Sequence, residues 1–207
     1  MNEATVGDVD SPLQLYQRLL ADSDAEGARF FSDVGQQRVV NQLDELFQRL
    51  MHEPNQSMWR KLFTKSSLQP VQGLYIWGTV GRGKTLLMDL FFDCLPEGRA
   101  QRMHFHRFMR RVHGGLTAHA GVADPLQKVA DELAHEADVL CFDEFFVSDI
   151  GDAMILAELM RALFARGVTL VATSNVEPRG LYENGLQRSR FLPAIDLLYR
   201  HCAVIEI

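Results

Sequence analysis

Cysteine is scarce: Cys94, Cys141 and Cys202 are the only three in 207 residues. Their number is odd, no pair has metal-site spacing, and Cys141 and Cys202 sit inside apolar runs. A disulfide scaffold is excluded, and the pattern reads as small buried hydrophobes in a reducing compartment. Long apolar runs are also lacking. The longest, such as VLCF and VTLVA, are strand-length, far short of the roughly 18–20 residues of a membrane span. No charge of one sign dominates: the formal charge is -6, spread evenly between the two halves, so no global field invites nucleic acid or an anionic membrane. Internal repeats and low-complexity linkers are absent. The opening MNEATVGDVDSP is acidic and polar, against both a secretory signal and an arginine-rich transit peptide. A soluble, cytoplasmic protein is expected.

What is present is ordinary globular material, 47% hydrophobic and 23% charged, enough for one domain or a piece of one. One local bias stands out. Between Gly98 and Ala123 there are five arginines (Arg99, Arg102, Arg107, Arg110, Arg111) and no acid. The stretch reads first as a solvated helix face and second as a surface for an acidic partner or substrate.

Ser11-Pro12 looks like a helix cap followed by proline at the first helical position. Leu13, Tyr16, Leu19 and Leu20 then repeat at helical spacing until the polar stretch ADSDAEGA breaks the pattern. From Gln36, residues Val39, Val40, Leu43, Leu46, Phe47, Leu50 and Met51 fall on one face of a second helix. Residues 1–65 are thus expected to form a helical lead-in, and residues 66–207 the core. In the core, strands are expected at GLYIW (73–77), RMHFH (102–106), VLCFD (139–143), VTLVATS (168–174) and CAVIEI (202–207). Helices are expected at 86–95, at 107–119 with an interruption at Gly114-Gly115, at 152–166, and over LPAIDLLYR. Nearly all-apolar strands alternating with helices indicate an α/β fold with a parallel sheet covered on both faces. The chain stops inside its last strand, so a truncated sequence is expected.

Gly78-Thr79-Val80-Gly81-Arg82-Gly83-Lys84-Thr85 fits G-x-x-x-x-G-K-[ST] in full, after a strand and at the mouth of a helix. The glycines let successive backbone N–H groups turn toward phosphate oxygens, and the helix adds its positive end. Lys84 would neutralise the β and γ phosphates, and the Thr85 hydroxyl would bind Mg²⁺. Val139–Asp143 is an apolar strand ending in the carboxylates of Asp143 and Glu144. Asp143 would bind Mg²⁺ through water, and Glu144 would polarise the attacking water, which favours hydrolysis over transfer to a small-molecule acceptor. The next strand ends Thr173-Ser174-Asn175, where Asn175 would hold that water and report on the γ-phosphate. Arg188 and Arg190, in QRSRFLP, are both candidates for an arginine supplied to a neighbouring subunit's γ-phosphate. No NKxD-like guanine-reading motif occurs, which favours ATP over GTP. His104, His106 and His113 lack a fourth ligand at suitable spacing for a metal site.

The stretches SPLQLYQRLL, GLYIWGTVGRGKTLLMDLFF, MHFHRFMRRVHGGL, DVLCFDEFFVSDIGDAMIL, LVATSNVEP and NGLQRSRFLPAI run from residue 11 to 195. Together they resemble the ZapE cell-division ATPases of bacteria and their mitochondrial AFG1-like relatives, within the AAA+ superfamily. The phosphate loop and acid pair are shared by many ATPases; the HFHRFM and DEFFVSDIGDAMIL blocks are far more specific. The resemblance implies a three-layer P-loop NTPase core with strand order 5-1-4-3-2 and ATP hydrolysis coupled to action on protein partners, the FtsZ division ring in bacteria. It implies a homo-oligomeric ring for the full-length protein, and a small helical lid after the last core strand, for which this chain has no residues. In related rings the segment after the second strand faces the central pore, where Phe105 and Phe108 would grip an extended peptide; core packing is the favoured reading of both. Two rivals remain: a nucleotide-switched binding module with slow turnover, and a helicase loader of similar core fold.

Overall fold

In a computed structural model, the alternating pattern becomes five parallel strands flanked by helices on both faces. Residues 10–26, 33–52 and 69–207 are described; the parts of the expected lead-in at 1–9, 27–32 and 53–65 lie outside them. In chain order the elements are α1 (Pro12–Glu26), α2 (Val34–His52), β1 (Gly73–Trp77), α3 (Lys84–Asp93), β2 (Ala100–His104), α4 (Phe105–Ala118), α5 (Pro125–Glu136), β3 (Val139–Asp143), α6 (Ile150–Ala165), β4 (Thr169–Ser174), a short 3-10 turn (Pro178–Gly180), α7 (Arg188–His201) and β5 (Cys202–Glu206). The sheet runs β2-β3-β4-β1-β5, the order 5-1-4-3-2 read from the other edge.

Each face of the sheet has its own core. On one, Leu74, Ile76, Val139, Cys141 and Val171 meet α3 and the apolar stripes of α1 and α2. The first two helices therefore share a core with the sheet. On the other face, Leu140, Phe142, Leu170 and Ala172 meet α4, α5, α6 and α7. All three cysteines are buried and free, and burial pushes each thiol up to about 12, which keeps them protonated and inert.

Several expected boundaries move. Helix α1 continues through the acidic stretch to Glu26, because ADSDAE contains neither glycine nor proline. Strand β2 ends at His104, two residues before the expected RMHFH end, since Phe105 already turns into α4 and is 1% exposed. The Gly114-Gly115 pair does not interrupt α4. A Cβ at Gly115 would come within 2.8 Å of Val129 Cγ2, so this glycine permits close approach of α4 to α5. Helix α5 is additional to the helices expected from the sequence. Asp124 caps it, accepting from Gln127 N at 3.4 Å, and Pro125 opens it. Phe105 and Phe108 are core residues, each 1% exposed, packed in tilted and edge-on contacts with Phe142 and Phe145; the peptide-gripping reading fails on their burial.

The five arginines do not form one solvated face. Arg99 is buried beside Asp138, with 3.9 Å between charges. Arg111 pairs with Glu136, Arg102 turns into the cleft described below, and Arg107 and Arg110 are exposed. Among the described residues, no helix is long and apolar enough to cross a membrane.

Candidate functional site

Parallel pairing sets the carboxyl ends of the strands level: Trp77 lies beside Ser174 and Glu206, and His104 beside Asp143. The loops that follow enclose a cleft of about 500 Å³ lined by Val80, Gly81, Gly83, Lys84, Thr85, Arg102, His104, Asp143, Glu144, Thr173, Ser174 and Asn175. Phosphate loop, acid pair and Asn175, widely separated in sequence, thus face one space.

The phosphate loop is shaped by its backbone. Gly81 and Gly83 adopt φ of 82° and 85°, a region costly for residues with a Cβ. Helix α3 starts at Lys84 with no side-chain cap, leaving first-turn N–H groups turned to an incoming anion. The Lys84 ammonium donates to the carbonyls of Gly78 (2.6 Å) and Thr79 (2.8 Å), and burial lowers its pKa. At the root, Gly78 N donates to Ser174 O at 3.2 Å and Ile207 N to Trp77 O at 2.9 Å. A second hollow of about 490 Å³ lies beside the loop, between Val34, Gly35, Arg38, Thr79, Arg82, Glu206 and Ile207.

The acid pair is held by its neighbours. Glu144 has a left-handed backbone, φ 54°, and its N–H donates to Thr173 Oγ1 at 3.3 Å. Phe145 N donates to Thr173 O at 2.7 Å. Ser174 Oγ donates to Phe145 O at 2.7 Å and accepts from Val176 N at 3.1 Å. Phe145 is anchored against Phe105, ring centroids 4.2 Å apart. The turn therefore drives Phe145 into the core and leaves the carboxylate just before it, Glu144, exposed in the cleft. Asn175, also exposed, follows Ser174 at the end of central strand β4.

Arg102 is a further cleft residue, one that belongs to none of the sequence motifs. Arg102, on edge strand β2, grips Asp143 with two N–H groups, Nε to Oδ2 at 2.9 Å and Nη2 to Oδ1 at 3.2 Å, and bonds Asp89 of α3 through Nη1. Burial opposes its charge, but the bonds to Asp143 and Asp89 prevail and raise its pKa. The only local signal was a cation two residues before His104 on a strand. Knowing that it meets Asp143 requires the β2–β3 register.

Arg188 and Arg190 open α7 and do not line the cleft. Arg188 is half-buried and donates to Arg179 O at 2.6 Å; Arg190 is exposed and donates to Gln187 Oε1 at 3.1 Å. His104 and His106 stack with centroids 5.8 Å apart, while His113 bonds Asp152 at 2.7 Å. Among the described residues, no cluster of three or more histidine, cysteine or acidic groups is placed to hold a metal. The Thr85 hydroxyl and Asp143 carboxylate, hard oxygen donors in one cleft, do suit Mg²⁺, which takes one or two protein oxygens alongside phosphate.

A phosphate loop after the first strand of a 5-1-4-3-2 parallel sheet, with acids at the end of the third strand, defines an AAA+-type P-loop nucleotide-binding fold. Solved structures agree on the fold: a crystal structure of DnaI superposes with a TM-score of 0.58 at 16% identity, covering 87% of this chain and 89% of the solved chain. Domain III of the Thermotoga maritima replication initiation protein DnaA gives 0.57 at 18%, covering 86% and 65%. The chain belongs to the AFG1-like ATPase family, whose profile matches residues 13–207. It is 54% identical over 194 residues to the cell division protein ZapE of Escherichia coli strain K12, covering 88% of this chain and 51% of ZapE. It is 45% identical over 157 residues to lactation elevated protein 1 homolog B of Danio rerio, covering 69% and 30%. The chain thus spans about half, or less, of the length of these relatives.

Proposed function

We propose that this chain is the nucleotide-hydrolysing core of a cell-division ATPase that uses ATP to remodel a protein assembly. The observation that carries the reading is the single cleft shared by the phosphate loop, Asp143, Glu144 and Asn175. In it, the amides of residues 78–85 cradle the triphosphate and Lys84 leaves its carbonyl partners for the β and γ phosphates. Thr85 and Asp143 hold Mg²⁺, whose chemistry when bound is to neutralise charge on the phosphates. Glu144 accepts a proton from the attacking water and Asn175 orients it. Arg190, or Arg188, lies outside its own cleft and so acts on the next subunit of a ring.

The partner follows from the relative named for cell division and from the resemblance set out above: the FtsZ polymer is the proposed target. Cytoplasmic location goes with that reading.

Glu144→Gln tests the chemistry. Nucleotide affinity should stay within a factor of about two while turnover falls roughly 10²–10⁴-fold, measured as phosphate release beside nucleotide titration. Unchanged turnover would remove Glu144 from the reaction. Sedimentation of FtsZ polymers with wild-type chain and ATP, against the same mixture with Glu144→Gln, tests the partner; identical pelleting in both would sink that part.

A further inference from the structure

Arg102 is placed where a bystander would not be. It projects from the edge strand on the face that carries Asp143 and α3, and its side chain is only 17% exposed. The planar guanidinium spends both arms of one edge on the two oxygens of Asp143 and its remaining arm on Asp89. A bidentate fork of this kind fixes the plane of a carboxylate. It also occupies both oxygens that a divalent cation would approach, and places a positive charge beside the cation's position, where the two repel.

We propose that Arg102 is a positioning residue that opposes divalent-cation capture at Asp143. Resting on the assignment of Asp143 as a metal ligand, the inference gives the carboxylate two alternative partners. Without metal, Arg102 bridges Asp143 and Asp89. When the cation takes Asp143, Arg102 keeps Asp89, whose side chain is 46% exposed against 14% for Asp143 and so remains well solvated. The edge strand thereby sets how much metal the site requires, and Asp89 tunes it from the helix that follows the phosphate loop.

The experiment is a Mn²⁺ titration of the 207-residue chain without nucleotide, followed by loss of the free-ion electron paramagnetic resonance signal. Arg102→Gln should tighten Mn²⁺ binding roughly tenfold, the scale on which one adjacent charge acts on a carboxylate. Asp89→Asn should move it the other way, because Arg102 is left with Asp143 alone. Asp143→Asn should weaken it. A second readout is the unfolding midpoint: Mn²⁺ should raise it more in Arg102→Gln than in wild type, since the cation replaces the lost partner of Asp143. Should Arg102→Gln unfold, Arg102→Lys keeps the charge but loses the fork and should tighten binding by a smaller factor. Binding by the arginine variants that is unchanged or weaker, with Asp143→Asn weakened as expected, would overturn the role of Arg102 alone. Wild-type binding in Asp143→Asn would overturn both the role and the ligand assignment beneath it.

Discussion

Lys84 bonds back to carbonyls five and six residues earlier in its own loop, whereas the turn of Glu144 is pinned by Thr173 and Ser174, each at a separation of 29 residues. The two halves of the cleft are separated by one strand in the sheet, yet the lysine of one finds its partners in contiguous backbone, while the carboxylate turn of the other depends on distant neighbours and a buried phenylalanine. A lysine whose partners lie in its own loop can be removed without disturbing what lies around that loop. An assembled turn cannot, because its geometry belongs to β4 and to the aromatic core as much as to β3.

That contrast can be broken from either side. The largest effect should come from Phe145→Ala, which removes a side chain 1% exposed and should cost about 3–5 kcal/mol of stability, read by urea unfolding. Turnover per folded molecule should fall with it; if it does not, the acid pair is as independent as the phosphate loop. Lys84→Ala should weaken nucleotide binding by about 1.5–3 kcal/mol, seen by calorimetry, with the unfolding midpoint nearly unmoved. A matching loss of stability would show that the loop also relies on this ammonium for its shape. Ser174→Ala leaves Phe145 O and Val176 N without their buried partner and should cost about 1–3 kcal/mol. Its diagnostic is a drop in turnover at unchanged nucleotide affinity. Gly83→Ala should be the mildest, about 1–2 kcal/mol for a left-handed residue with a Cβ. The new methyl group meets only the end of the Gln36 side chain, at 2.7 Å from Nε2, so the loss should appear in affinity and leave the fold intact.

The same contrast explains what could be read from the sequence. Strands β1, β3, β4 and β5, the sheet class and the phosphate loop rest on local pattern: short, mostly apolar runs, glycines at fixed offsets, a lysine at a helix mouth. What escaped depends on register or on packing between helices. Arg102 meets Asp143 only because β2 pairs with β3 at His104↔Asp143. Gly115 looks like a helix breaker until α5 is set against it; the signals of α5 itself, an aspartate cap, a proline at the first position and Leu126, Val129, Ala130 and Leu133 at helical spacing, are local and of the kind that marks α1. Phe105 and Phe108 could face a pore or a core on spacing alone; four phenylalanine rings converging from α4, β3 and the turn after it put them inside.

Gly78, where the phosphate loop leaves β1, is fastened through its N–H to the end of β4, and the peptide before it carries the bond from Ile207 at the end of β5. There is no room for slack: a Cβ at Gly78 would collide with the carbonyl oxygen of Ile207. The hinge of the loop is thus a three-way junction. It ties the start of the loop directly to both strands that flank β1, one leading to Asn175 and the other to Ile207.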